Sequence, residues 1–306
     1  MLDALAWFFT NIGLAFYNFF NAITHPGLWL GWIGGLETQE DKQALMRFIY
    51  YGGSVEFFFV VFTAFLILTG IGLWKNNVMW GAVRTFESIG NTLGRIFAWA
   101  GLIMVLQQFM IVLVQRIFAS AQITIGFGSF NLALDVSWWA EGLKLYNAMI
   151  VVFCVTYTFI QGGHVRVDLI YAAVSYRRKR IIDMFGSVFF MMPAAILTWM
   201  YGWYFLWRHL VTPKISASDQ LDRLLSAKWR ALKWNVETIG FSPNGFNGYF
   251  LFKVFLVAFT ALVFIQAIAF LYRSYLELKE GPESEGKHLD KDWLGDNDAE
   301  LAADSH

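Results

Sequence analysis

Apolar positions in this chain gather into uncharged runs of about twenty residues, separated by short polar stretches. At about 1.5 Å per helical residue, a run of that length covers a hydrocarbon core of ~30 Å. Five runs predict membrane-crossing helices: Val55–Trp74, 96–115, 145–163, 184–207 and 254–272. Glu56 and Lys75 bracket the charge-free part of the first, and Arg95 and Arg116 flank the second. Pro193 predicts a kink in the fourth, which neighbouring helices in a bundle can tolerate. A sixth stretch, Leu2–Thr24, carries Asp3, Thr10, Asn11, Asn18 and Asn21 as a stripe on one helical face. It either spans with its Asn residues against protein or lies in the interface, and His25-Pro26-Gly27 ends it. The short alternating segments of a membrane β-barrel are not recognised. The expected fold class is all-α: a polytopic membrane helical bundle of about six spans, with interfacial amphipathic helices.

The connections have patterns of their own. Residues 37–47 read as a short, charged, water-facing helix. In 75–95, Met79, Val83, Phe86 and Ile89 recur at helical spacing against Arg84, Glu87 and Asn91; this reads as a membrane-surface helix or as a solvated connector. Stretch 119–142 reads as a loop without Lys or Arg, with Trp138 and Trp139 as interfacial anchors. In 219–236, Leu221, Leu224, Leu225, Trp229 and Leu232 alternate with charged residues as in an amphipathic helix. Ser242-Pro243-Asn244-Gly245 is a turn, and the acidic, aromatic-poor segment after residue 276 reads as disordered.

Charge adds orientation. Only 15% of the residues are charged, against about 25% in a soluble domain. A net charge of zero gives no reason to expect nucleic acid as a partner. Connection 162–183 holds five Lys and Arg, while 119–142 holds none. By the positive-inside rule this puts 75–95, 162–183 and 273–306 in the cytoplasm, and with six spans both termini as well. The six basic residues of 208–248 dissent. The stretch MLDALAWFF has Asp3 and no basic residue before its apolar run, so a retained N-terminus is expected.

Catalytic chemistry is poorly represented. His25, His164, His209, His288 and His306 are not central in any span, so no facing pair is evident for haem. No P-loop, HExxH or CxxC pattern occurs, and neither metal nor cofactor is expected in this chain. Glu56, Arg116, Lys144 and Lys253 lie at span ends, where snorkelling explains them. Gln107, Gln108 and Gln266 are the deepest strongly polar residues, suited to helix–helix hydrogen bonds or to contact with a partner. Gly162-Gly163 reads as a helix C-cap. Arg177, Arg178, Lys179 and Arg180 suit anionic lipid and set topology. Arg166 and Asp168 lie two residues apart, so on a helix they face different ways; each could cap a helix, bind a partner or simply hold a turn.

At His164-Val-Arg166-Val-Asp168 the chain resembles the small permease subunit, DctQ type, of tripartite ATP-independent periplasmic (TRAP) transporters. Glu237, Ser242-Pro243-Asn244-Gly245, Lys253 and Gln266 continue the likeness, which covers roughly residues 95–275. It implies a four-helix core over 95–275, preceded by extra membrane helices in 1–94 and followed by an acidic cytoplasmic tail, 276–306. Residues 1–94 and the long 208–248 connection depart from the family's usual form. The resemblance further implies a non-catalytic scaffold in the bacterial inner membrane. Its partners would be a large membrane subunit, a periplasmic substrate-binding protein and membrane lipids. Sodium-coupled uptake of organic acids would run through the large subunit, which would hold the sodium. His164, Arg166 and Asp168 become candidate partner contacts. A self-sufficient small transporter or channel and the membrane anchor of a redox complex are the alternatives.

Overall fold

A computed structural model describes residues 2–128, 130–162, 174–238 and 245–291. Helix α1, Leu2–Thr24, packs on α3, Val55–Trp74, through Trp7 and Phe8 against Phe59 and Phe62. Between them lies α2, Gln39–Gly52, started by a capping box in which Thr38 and Asp41 satisfy each other's backbone N–H groups. Helix α4 runs from Asn76 to Val112 and continues through a π-turn, Leu113–Ile117. Strands β1, Gln122–Phe127, and β2, Phe130–Asp135, form an antiparallel hairpin in register from Gln122↔Asp135 to Phe127↔Phe130. Gly128, at φ +64°, supplies the left-handed backbone next to the turn. Helix α5, Val136–Gln161, ends at Gly162 in the left-handed conformation, as the Gly-Gly pair suggested. After residue 174 come α6, Tyr176–Gly186, a π-turn at Ser187–Met191, and α7, Met192–Arg208. A two-residue ladder pairs β3, Val211–Thr212, with β4, Lys233–Trp234, around the short helix α8, Leu221–Ser226. Helix α9, Phe250–Glu280, closes the bundle.

Among the described residues, five helical stretches are long and apolar enough to cross a membrane: Val55–Trp74, Asn76–Ile117, Val136–Gln161, Tyr176–Arg208 and Phe250–Glu280. Each falls on one of the five runs expected from the sequence, the third covering its run as far as Gln161. Their middles expose large apolar side chains, such as Trp99 and Phe109 on α4 and Phe189 and Phe190 beside α7. Helix α1 forms over the expected residues but is not among the five, because its polar stripe dilutes its apolar character.

The two closest-packed helices, α4 and α5, meet at glycines. A Cβ on Gly94 would run into Tyr157, and one on Gly90 would press on Thr156 and Ile160. Gly90 and Gly94 are four residues apart, the spacing that lets two membrane helices approach closely. Farther along the same seam, the Phe97 and Phe153 rings stack at 3.9 Å.

Several expectations for the connections give way. Residues 37–47 do not form a helix facing water throughout: α2 buries Leu45, Met46 and Ile49 against α7 and α8, and only its other face is solvated. Stretch 75–95 is neither a separate surface helix nor a connector. It is the first half of α4, so a boundary between residues 94 and 95 would fall inside a helix. Its apolar face, Met79 and Val83, packs on Ala267, Tyr272 and Leu276 of α9 rather than on lipid. At 37 residues, α4 is about 55 Å long, far more than a bilayer core needs. Within 119–142 the alternation in ITIGF and FNLAL makes the hairpin, not a loop. Stretch 219–236 is not one amphipathic helix either. It breaks after Ser226 into a 3-10 turn and β4, because Leu224 and Leu232 are drawn into the α2–α7 core while the chain pairs with β3. The disorder expected after residue 276 does not hold for residues 276–291, which are helix end, turn and an ordered return across the bundle; residues 292–306 lie outside the described residues.

Candidate functional site

The buried charged side chains of the described residues, Glu87, Arg180, Arg273 and Glu277, lie together at one end of the bundle. Glu87 on α4 and Arg273 on α9 are 5% and 7% exposed, and they form a two-pronged ion pair. Arg273 Nε donates to Glu87 Oε1 at 2.7 Å and Nη2 to Oε2 at 2.6 Å. Glu277, one helical turn on, accepts from Arg273 Nη1 at 3.4 Å, and its other oxygen forms an ion pair with Arg180 Nη2 at 2.9 Å. Arg180 also meets Glu285 at 2.6 Å and Asp183 at 3.5 Å. The Arg273 guanidinium lies 5.5 Å from the centroid of Trp80, whose indole N–H donates to Glu280 at 2.9 Å. Two cations and two carboxylates at this depth hold because each charge faces an opposite one at close range.

This geometry corrects one assignment. Arg180 is not a lipid-facing member of the basic cluster; it is buried in the ion network. Arg177 and Arg178 are exposed, and Lys179 is half-buried. His164, Arg166 and Asp168 lie outside the described residues, as do Ser242, Pro243 and Asn244 of the predicted turn.

The glutamines do not converge. Gln107 Nε2 donates to the Trp139 carbonyl at 2.6 Å and ties α4 to the first turn of α5. Gln108 is exposed on the outer face of α4. Gln266 is buried in α9, and its Oε1 accepts no hydrogen bond from the described residues. No group of three His, Cys, Asp or Glu side chains among the described residues could hold a metal ion.

The opposite end is aromatic. Trp203 and Trp199 of α7 donate to the carbonyls of Ile49 and Gly52 at the end of α2, both at 2.8 Å. Gly52 lies so close to Trp203 that a Cβ there would enter the indole ring. Lys253, expected to snorkel, instead donates to Glu237 at 3.1 Å, and His209 approaches the same oxygen at 3.1 Å. The hydrogen bond from Lys253 holds the Glu237 carboxyl below its ordinary range, and the charges of Lys253 and His209 act in the same direction. Burial pushes Asp219 up, but hydrogen bonds from Lys228 and the Ser216 N–H outweigh it and leave the carboxyl lowered.

Between the ends, a groove of about 650 Å³ opens beside α3, α7 and α9. Phe57, Phe62, Trp199, Thr260 and Phe264 line it, and among the described residues no charged side chain does. Such a groove suits hydrocarbon and offers nothing to a carboxylate or a sodium ion.

The sequence reading missed the Glu87–Arg273 pair and the glycine seam. The seam was visible as Gly90-x-x-x-Gly94. The pair was not, because its members are 186 residues apart and neither looks unusual locally.

Together these features have the build of a multi-pass helical membrane protein. Among the described residues, its buried charges pair with one another at one end. The chain matches no family model, no curated protein and no solved structure.

Proposed function

We propose that this chain is the non-catalytic small membrane subunit of a TRAP-type secondary transporter, bracing a large subunit that imports organic acids. The observation that carries the reading is the disposition of charge. Glu87, Arg180, Arg273 and Glu277 neutralise one another at one end, and the lateral groove is apolar. A chain that itself moved an organic anion would need unsatisfied ionisable groups along a hydrated path. The resemblance at His164-Val-Arg166-Val-Asp168, with Lys253 and Gln266, supports the same reading and supplies its family.

On this proposal the chain lies in the bacterial inner membrane with α1 as a sixth crossing and both termini in the cytoplasm. The grouping of connections supports it. Stretches 75–95, 176–183 and 273–291 meet at the charged end, through Glu87–Arg273, Arg180–Glu277 and Arg95–Asp290. Stretches 39–52 and 208–234 meet at the aromatic end. His164, Arg166, Asp168 and Gln108 are the residues proposed to touch the partner, while Gln266 lies inside the chain; the periplasmic binding protein engages the assembled complex. Sodium sits in the large subunit.

The test is purification from native membranes followed by reconstitution. A large membrane protein should co-purify, and the pair, with its binding protein, should take up an organic acid on a sodium gradient. The chain alone should take up none. Uptake by the chain alone would replace this reading with a self-sufficient transporter, and a haem or quinone spectrum would replace it with a redox anchor.

A further inference from the structure

We propose that residues 281–291 are a releasable latch that clamps α6 onto the bundle, and that α6 swings on the π-turn at Ser187–Met191 when the latch opens. The inference goes beyond the transporter reading and does not depend on it.

The grip on α6 is polar. Arg180 is its one buried residue, while Ile181, Ile182 and Phe185 point outward and are each about half exposed. Arg180 is held by Glu285 at 2.6 Å, within the latch, and by Glu277 at 2.9 Å, just before it. The Tyr176 hydroxyl donates to the carbonyls of Glu277 at 3.1 Å and Gly281 at 3.3 Å. A helix secured in this way lacks the buried apolar surface that makes docking hard to reverse.

The latch is pinned at several points. The Lys287 carbonyl accepts from Arg273 at 3.0 Å, and the Gly286 N–H donates to Glu277 at 3.2 Å. His288 sits edge-on to Trp80 with ring centroids 5.5 Å apart. At the far end, both oxygens of Asp290 accept from Arg95, at 2.9 and 3.0 Å. Asn91 and Gln161 donate to the Asp290 carbonyl at 2.8 and 3.0 Å. One short segment therefore joins α4, α5, α6 and α9. The Arg95 and Asp290 side chains are 42% and 59% exposed, so this end is screened by salt and weak on its own.

The other requirement is a hinge. Between α6 and α7 the helix widens into a π-turn, and Pro193 follows within two residues. A π-turn loosens the regular hydrogen-bond ladder, and proline removes one donor from it. Bending is easiest at this joint. Beyond it, α7 is fixed by the Trp199 and Trp203 contacts to α2.

The full chain in lipid nanodiscs tests the latch by hydrogen exchange. The double variant E285Q/D290N removes a part-buried charged contact and an exposed one. It should raise exchange of the α6 amides about tenfold or more, with α7 and the first half of α9 within about twofold of the parent. Truncation after Gly281 should do the same or more. Unchanged exchange in α6 would overturn the latch. So would an equal rise across α6, α7 and α9, which is general loosening. The hinge is read separately with spin labels at Ile182→Cys and Val78→Cys in a Cys154→Ser chain. The distance distribution should be narrow in the parent and broad in E285Q/D290N; equal widths would overturn the swing.

Discussion

The two ends of the bundle are built from different materials. At one, Glu87, Arg273, Glu277 and Arg180 lock together across α4, α6 and α9. At the other, Trp203, Trp207, Phe48 and Ile49 pack α7 onto α2, with Leu224 and Leu232 from the long connection pressed against them. Apolar contact is non-directional and tolerates small shifts, whereas a buried ion pair is stable only with its partner in place. The aromatic end is therefore suited to fixing α7 permanently. The charged end is suited to holding its helices in one arrangement and releasing them if a partner or the latch changes.

The largest effects should come from breaking each end at its centre. Arg273→Met leaves Glu87 buried without its partner and should destabilise the chain by about 3–5 kcal/mol, read as a fall in the unfolding midpoint in detergent. The double change Glu87→Leu, Arg273→Met should recover most of that loss. If it does not, packing rather than charge holds this end. Trp203→Ala should lose a similar ~3–5 kcal/mol, but without a rescuing partner change and with no dependence on salt.

A middle-sized effect should appear in the cap that covers the aromatic end. The Asp219 carboxyl is lowered in the folded chain, so the stability it contributes is present above its ordinary value near 4. That stability is lost as pH falls through the lowered value. Local opening of 211–234, followed by hydrogen exchange between about pH 6 and pH 3, should rise with acid, and Asp219→Asn should flatten the rise. Because the pair with Lys228 is partly solvated, the change at neutral pH should be about 1 kcal/mol or less. Glu237, also lowered, works in the same direction. An acid-induced rise as large in Asp219→Asn as in the parent would remove Asp219 from this account.

The smallest effect belongs to the exposed basic residues. Arg177→Ala with Arg178→Ala should change unfolding by less than about 0.5 kcal/mol, because neither side chain is buried. A lipid or orientation role would appear instead in labelling of engineered cysteines at positions 2 and 40. Opposite sides mean that α1 spans, and the same side means that it lies in the interface.

Much of the bundle was legible before any coordinates. Five apolar runs became five helices able to cross a membrane, and the Gly162 cap fell where the sequence placed it. These succeed because the transfer of a side chain into hydrocarbon is a local property that adds along a run. The likeness to a transporter subunit was also read from local residues, and it awaits the partner. What only the tertiary structure decided is where polar groups find partners. Residues 75–95 read as a surface helix or a solvated connector because Arg84, Glu87 and Asn91 form a polar face; Arg273, far along the chain, satisfies Glu87 instead. Arg180 looked like one of four equivalent cations until Glu277 and Glu285 set it apart. The tail looked disordered by composition, and its Glu285 and Asp290 proved to be counter-charges of Arg180 and Arg95. The pairing of distant charges depends on the folded path of the whole chain, so no window of sequence contains it.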